Sequence, residues 1–171
     1  ECVPNFSEGR RPEVIAAIRS AAADVPGITV LDLHADPTHN RMVLTYVGSP
    51  AAVAEAGFRC VETAARLIDM SVHTGEHPRM GATDVLPFIP LTGVTMEECV
   101  ALAEQVGARI GDELQIPIYL YSRAARRPER LRLPDVRRGQ YEGIRDSIET
   151  DPARAPDFGP AKVGTAGATA V

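Results

Sequence analysis

Apolar residues recur every three or four positions in two long parts of the N-terminal half, a spacing typical of helices that pack one face on a core. The first helix is predicted to begin at Pro12, because a first helical turn tolerates proline, and to end at Pro26-Gly27. The second is predicted to begin at Ser49-Pro50. Its predicted inner face consists of Val53, Gly57, Cys60, Val61, Ala64 and Ile68.

Two further helices are predicted in the C-terminal half. Thr95 and Glu98 have the spacing of a capping box, and they precede a helix predicted from Val100 to Leu114. A shorter helix is predicted near residues 140–148.

Runs rich in β-branched and apolar residues, bounded by turn signals, predict the strands. A short apolar start precedes the first helix, and residues 28–36 and 41–48 follow it as a hairpin. Residues 84–93 follow the second helix, and residues 116–122 follow the third. The order up to the fourth strand is β-α-β-β-α-β. We therefore expect an α+β fold, with a ferredoxin-like βαββαβ core extended by a further helix and strand, and with helices packed on a mixed sheet.

The composition limits the classes of function. The chain has 171 residues, of which 44% are hydrophobic and 24% charged, as is usual for one globular domain. A net charge of -5 disfavours nucleic acid and anionic membranes as the main partner, since both attract basic surfaces. No apolar run is long enough to span a bilayer. Three widely spaced cysteines suggest neither a disulfide framework nor a cysteine zinc site, so we expect a cytoplasmic protein.

The segment HTGEHPRMG, residues 73–81, holds the densest potential chemistry. Its two histidines, His73 and His77, and the glutamate between them match the H-x-x-E-H pattern of zinc enzymes, in which both histidines bind the metal from one helix face. A glycine between the histidines and a proline after the second disfavour that helix, so we predict a loop. Such a loop suits general acid–base catalysis, because imidazole titrates near neutral pH. The remaining interpretation is a histidine that bonds the turn backbone.

Two more polar clusters lie at the ends of predicted strands. In LDLHADPTHNRM, Asn40 either bonds the turn backbone or contacts a substrate, and Arg41 opens a strand at a place suited to a bidentate contact with a carboxylate. In NFSEGRRP, Ser7 and Glu8 lead into the first helix, whose N-terminus also favours a bound anion. Because all three clusters lie at strand ends, we expect them to converge on one cleft.

The C-terminal part is irregular in pattern. Arginines concentrate between Arg123 and Arg138, which indicates either a solvated face or an anion-binding rim. The stretch APDFGPAKVGTAGATAV contains several glycines and the only lysine of the chain, Lys162. It is either a flexible tail or a ligand-binding loop rich in backbone groups. We expect one domain over residues 1–151 and an irregular tail over residues 152–171.

Five segments of the chain are recognisable: ECVPNFSEGR, NRMVLTYVG, RLIDMSVHTGEHPRMGATDVLPFIPL, ELQIPIYLY and APDFGP. Together they resemble the N-terminal subdomain of the glutamate formiminotransferase family over essentially the whole chain, and the GEHPRMGA-D block is specific. The resemblance implies a folate-dependent transferase of histidine degradation, which moves the formimino group from N-formimino-L-glutamate to tetrahydrofolate as co-substrate. It also implies an active site completed by a second formiminotransferase subdomain, and we expect a homo-oligomer.

The resemblance assigns roles to particular residues. In the family the catalytic histidine lies in GEHPRMG, which makes it His77 here, while His73 belongs to the block without that role. The family's folate-binding stretch follows DFGP and corresponds to residues 159–167. The glutamate tail of folate is anionic, and loop amides bind carboxylates. We therefore choose within that stretch its one lysine, its glycines and the proline after the first of them. The predicted folate-binding residues are Gly159, Pro160, Lys162, Gly164 and Gly167.

One position departs from the family. An acid that assists the histidine there corresponds to His34 in this sequence, so Asp36 is a candidate replacement.

For the reaction, we predict that His77 takes a proton from the attacking folate nitrogen and returns it to the leaving glutamate nitrogen. The predicted substrate-binding residues are Asn5, Asn40, Arg41 and Arg79, the arginines for carboxylates and the asparagines for the amidine. We expect no metal. The alternatives are a folate-binding module without turnover, a zinc hydrolase using His73 and His77, and a related formyl compound as the donor.

Overall fold

The computed structural model describes residues 1–171, which form six strands and five α-helices. The strands are β1 Asn5–Phe6, β2 Thr29–Asp36, β3 Arg41–Val47, β4 Thr83–Val85, β5 Ile118–Tyr119 and β6 Thr169–Ala170. The helices are α1 Pro12–Ala23, α2 Pro50–Leu67, α3 Met96–Glu113, α4 Leu133–Val136 and α5 Gln140–Ser147.

The six strands form one mixed sheet in the order β2-β3-β1-β4-β6-β5. The first four strands of that order pair antiparallel, as in a ferredoxin-like core. β6 pairs parallel with β4 on one side and with β5 on the other. The predicted α+β fold with an extended ferredoxin-like core is therefore confirmed.

The helices cover the two faces of the sheet unequally. Met42 and Leu44 of β3 are buried in the main core with α1, α2 and α3, whereas Val43 between them is half-buried on the opposite face. On that opposite face, Val136 of α4 and Ile144 of α5 form a second, smaller core with β4, β5 and β6. No residue of β2 or β3 belongs to this second core, and His34 of β2 is exposed. We call this part of the face, with β1 beside it, the open sheet face.

The helix ends follow the sequence signals. Thr95 Oγ1 accepts the N–H of Glu98 over 3.1 Å, and the Glu98 carboxylate accepts the N–H of Thr95 over 2.7 Å, so the capping box is present. Because the cap lies at Thr95, α3 begins at Met96 rather than at the predicted Val100. The predicted inner face of α2 is buried along its length. No helix combines the length and apolar character needed to cross a bilayer.

The structure differs from the expectation at the C-terminus, where the predicted irregular tail ends in a strand. Residues 169–170 insert between β4 and β5, and the carbonyl of Ala170 accepts the N–H of Leu86 over 2.8 Å. Two residues of small side chains carry no periodicity that could predict a strand, and only the sheet supplies their partners.

A buried ion pair holds the start of this C-terminal stretch against β5. Nη1 of Arg130 lies 2.5 Å from Oδ2 of Asp157, and the two side chains are only 3% and 5% exposed. Because both groups are buried, solvent screens their attraction little. The Asp157 carboxylate also accepts the N–H of Leu120 over 2.8 Å. The arginine-rich segment therefore contributes a structural anchor, which neither of its predicted interpretations included.

Candidate active site

The loop between α2 and β4, residues 68–82, carries His73 and His77, as predicted. We call it the histidine loop. Gly75 lies against the turn between β2 and β3: a Cβ at this position would be 2.4 Å from the carbonyl oxygen of His39. The helix that the H-x-x-E-H pattern requires is absent, and no three His, Cys, Asp or Glu side chains converge in a way that could hold a metal ion. The zinc-hydrolase interpretation therefore has no support in the fold.

Asn40 joins this loop to two others. Its side chain donates to the carbonyl of Thr74 over 2.8 Å and accepts the backbone N–H of Gly9 over 2.9 Å. Its φ of 49° is left-handed, a conformation that asparagine adopts more readily than most residues. Because the amide is used for backbone partners, the geometry favours the interpretation in which Asn40 bonds the backbone over direct contact with the amidine. The three clusters are thus brought together.

Arg41 and Asn5 lie side by side on the open sheet face. Nε of Arg41 donates to Oδ1 of Asn5 over 2.9 Å, and its Nη2 donates to the same oxygen. The amide nitrogen of Asn5 donates to the carbonyl of Val3 over 3.0 Å. Arg41 forms no ion pair with a carboxylate of the chain, so its positive charge is not neutralised by an internal partner.

Next to Arg41, one buried carboxylate serves a second arginine. Asp84 on β4 is 2% exposed, forms an ion pair with Arg137 from the end of α4, and accepts the N–H of Met80 over 2.9 Å. Burial raises the pKa of Asp84, although the ion pair with Arg137 opposes the shift. Only one of the two neighbouring guanidinium groups is therefore paired with the carboxylate, and Arg41, Arg137 and Asp84 together keep a net positive charge.

This positive charge acts on His77. Burial of the ring lowers the pKa of His77 first, and the charges of Arg41 and Arg137 lower it further, to about 4. The polar group that counteracts this shift is the backbone of Pro78, next in the chain. At neutral pH the imidazole is therefore uncharged and able to accept a proton.

Arg79, in contrast, is committed to partners within the chain. Its Nη1 and Nη2 donate to the two carboxylate oxygens of Glu142, each over 2.8 Å, and Nη1 also donates to Gln140 over 3.1 Å. Nη2 contacts the carbonyl of His73 at 3.3 Å. With its donors occupied in this way, the predicted contact of Arg79 with a substrate carboxylate is not supported by the geometry.

The predicted folate-binding stretch lies partly beside the histidine loop. Gly167 forms an isolated β-bridge with Gly81, and the carbonyl of Ala166 accepts the N–H of Ala82 over 2.8 Å. A Cβ on Gly81 would lie 2.2 Å from the carbonyl oxygen of Ala168, so only glycine permits this contact.

The predicted folate-binding residues therefore divide into two groups. Gly164 and Gly167 lie near the histidine loop, with Gly164 bridged to Gly167. Gly159, with a φ of 79°, packs instead against the end of α3, with Pro160 following it. Lys162 is exposed and forms no ion pair.

His34 and Asp36 occupy different environments. His34 pairs with Val43 across the strands and is exposed on the open sheet face, in the same row as Asn5. Asp36 accepts the backbone N–H of His39, and its other carboxylate oxygen lies 2.8 Å from Nδ1 of the same residue; these contacts lower the pKa of Asp36 to about 2. Because Asp36 is held in the turn by His39, it has no bond to His77 as a replacement acid.

Comparison with known proteins agrees with these observations. The family model described as formiminotransferase domain, N-terminal subdomain, matches residues 1–171. The chain belongs to this family.

Its relatives include two prokaryotic proteins named glutamate formimidoyltransferase. That of Streptococcus pyogenes serotype M1 is 50% identical over 173 residues, and that of Thermoplasma acidophilum is 48% identical over 173 residues. Each match covers 100% of this chain and 57% of the relative. The formimidoyltransferase-cyclodeaminase of Mus musculus is 52% identical over 160 residues, which are 94% of this chain and 29% of that protein. The chain thus spans little more than half of the two prokaryotic relatives and less than a third of the mouse protein.

Four residues around the site were missed by the sequence reasoning. Asp84 lies inside the specific GEHPRMGA-D block, so its type was visible but its role was not. Arg137, Gln140 and Glu142 lie more than 50 residues beyond the histidine loop, and nothing in their own pattern indicates this contact. Only the packing of α4 and α5 on the sheet brings them to the site.

The depressed pKa of His77 is directly measurable. In the protein as encoded, with any residues that follow Val171, an NMR titration should place the His77 imidazole near pH 4, below the usual 6.5. Because the folded pKa is lower than the unfolded one, this group contributes stability that is present above about pH 6.5 and is lost as the pH falls towards 4. A His77→Asn variant should identify the resonance and reduce the loss of stability over that range. A His77 pKa near 6.5 would contradict the described electrostatics.

Proposed function

We propose that this chain supplies the N-terminal half of a folate-dependent transferase, which moves the formimino group from N-formimino-L-glutamate to tetrahydrofolate in histidine degradation. The observation that carries the proposal is the position of His77, in a loop that Asn40 bonds at Thr74 and beside Arg41, in a chain of the formiminotransferase family. Relatives named glutamate formimidoyltransferase support the reaction class.

The proposed chemistry requires one proton to move twice. The folate nitrogen loses a proton as it attacks the amidine carbon, and the glutamate nitrogen gains one as the C–N bond breaks. His77, uncharged at neutral pH, accepts the first proton and donates it to the leaving nitrogen. The depressed pKa favours the second step in particular, because an imidazole that prefers to be neutral gives its proton up readily.

Arg41 is the proposed partner of the donor's carboxylates. It opens β3 beside His77, its charge has no internal carboxylate partner, and Asn5 holds its guanidinium in place. Because Oδ1 of Asn5 accepts from both Nε and Nη2 of Arg41, and its amide nitrogen donates to Val3, its predicted contact with the amidine becomes a supporting role in the proposal.

Tetrahydrofolate, as co-substrate, is proposed to approach along residues 159–167. The end of this stretch that contains Gly164 and Gly167 is bonded to the histidine loop, which supports transfer to a folate bound there. Exposed Lys162 is the proposed contact for the anionic glutamate tail. The proposal further includes a second formiminotransferase subdomain that completes the site, assembly as a homo-oligomer and a cytoplasmic location.

The proton shuttle can be tested by removing the imidazole. In the protein as encoded, His77→Ala should lower kcat for formimino transfer by about 10²–10⁴-fold, the usual contribution of general acid–base catalysis. Arg66→Gln, which changes an exposed side chain at the end of α2, is the comparison variant and should lose much less. Near-normal transfer by His77→Ala would refute the assignment. Tetrahydrofolate binding by the unaltered protein without any transfer would favour the folate-binding module instead.

The anion contact can be tested separately. Arg41→Gln removes the charge beside His77 and should raise KM for formiminoglutamate at least tenfold, with a smaller effect on KM for tetrahydrofolate. Arg66→Gln, which changes an exposed arginine at the end of α2, is the matched control. An unchanged KM for the donor in Arg41→Gln would remove this residue from the binding site.

A further inference from the structure

Arg79 fastens the histidine loop to α5 through both its side chain and its backbone. The guanidinium makes a bidentate contact with Glu142, with two N···O distances of 2.8 Å. The carbonyl of Arg79 accepts the N–H of Tyr141 over 2.9 Å, and its own N–H points to Oε1 of Gln140 at 3.4 Å. Three successive residues of α5, Gln140 to Glu142, thus bond to one residue of the loop.

The loop needs such an attachment because it has little structure of its own. Residues 74–76 are exposed, as is Pro78, and none of them belongs to a helix or strand. The loop is held at Thr74 by Asn40 and at Arg79 by α5, with His77 between the two anchors. Only Pro78 separates His77 from the second anchor. The position of the imidazole therefore depends on where α5 holds Arg79.

The start of α5 is built in a strained conformation at this contact. Gln140 has a φ of 57°, in the left-handed region that side chains other than asparagine and aspartate rarely adopt, directly after Gly139 with a φ of 82°. In that conformation Oε1 of Gln140 accepts from Nη1 of Arg79 over 3.1 Å. Strained residues persist where surrounding contacts fix them, and they concentrate at functional sites.

The contact is also charged and partly shielded. The side chain of Arg79 is 11% exposed and that of Glu142 is 51% exposed. The hydrogen bonds from Arg79 lower the pKa of Glu142 to about 2, so the carboxylate stays ionised at any pH at which the protein works. The bidentate geometry fixes the direction of the guanidinium as well as its distance.

We propose that Glu142 and Gln140 are positioning residues for His77, which act through Arg79 to hold the histidine loop in place beside Arg41 and Arg137. The inference rests on the proposed function, since it assigns His77 the proton transfer. In this inference Arg79 holds the histidine loop against α5 and does not have the substrate-binding role that the sequence had predicted. Loss of the α5 contact then reduces turnover without removing a substrate contact.

The test compares Glu142→Gln with Glu149→Gln in the protein as encoded. Glu142→Gln removes the charge but keeps the size of the side chain, and Glu149 is an exposed glutamate just beyond α5 with no ion pair. Glu142→Gln should lower kcat at least fivefold with KM for formiminoglutamate changed less than twofold. In NMR titration the His77 pKa should rise from about 4 towards its usual value, because a displaced ring is less buried and farther from the arginines. Glu149→Gln should match the unaltered protein in all three readouts.

Gln140→Gly provides a second variant that should fold without difficulty. Glycine adopts the left-handed backbone without strain but cannot accept from Arg79, so stability should hold while kcat falls. Three results would overturn the inference: a kcat equal to that of Glu149→Gln in both variants, a kcat loss with the His77 pKa unchanged, or a raised KM at constant kcat. The last would mean that Arg79 contacts the substrate. If His77→Ala retained transfer, the proposed function would fail instead, whatever these variants did.

Discussion

The side-chain amide of Asn40 joins three loops that the chain supplies from distant positions. One side accepts the N–H of Gly9 and the other donates to the carbonyl of Thr74, so a single residue links the segment after β1, the β2–β3 turn and the histidine loop. A side-chain amide carries its donor and its acceptor on separate atoms, so it can serve both partners at the same time. Because Asn40 is 8% exposed, water competes little for either bond.

Close backbone contacts at glycines depend on the same arrangement. A Cβ on Gly9 would lie 2.2 Å from the carbonyl oxygen of Asp36, and a Cβ on Gly75 would lie 2.4 Å from the carbonyl oxygen of His39. Gly81 and Gly167 form a similar close backbone contact on the other side of the loop, where the C-terminal stretch meets it. The histidine loop is therefore enclosed by contacts that side chains would prevent. Burial of the His77 ring, together with the positive charges of Arg41 and Arg137, then keeps the imidazole neutral.

The parts of this arrangement that were predictable are local. The order β-α-β-β-α-β follows from periodicity and caps, since α2 buries the face that its apolar spacing marks and Thr95 caps α3 with Glu98. The loop at residues 73–78 follows from Gly75 and Pro78, which oppose a helix. The convergence of the three polar clusters follows from their place at strand ends. The family was recognisable because several segments matched together.

The parts that escaped prediction are partnerships across long separations. Nothing in Asp84 shows that Arg137 will neutralise it, and nothing in Arg79 shows that Glu142 will occupy its donors, so this arginine was assigned to the substrate. Strand β6 has two residues and acquires its identity from the neighbours it inserts between. Such features depend on the packing of α4, α5 and the C-terminus, which local sequence does not encode.

Asn40→Asp tests most directly whether the amide of Asn40 holds the histidine loop in its position beside the β2–β3 turn. Aspartate tolerates the same left-handed backbone and still accepts the N–H of Gly9, but when ionised it cannot donate to Thr74 and places a negative charge against that carbonyl. In Asn40→Asp we expect the amide of Gly9 to stay protected from hydrogen exchange, the backbone resonances of residues 74–77 to shift, and formimino transfer to fall at least tenfold. Unshifted resonances together with unchanged transfer would contradict this role of Asn40.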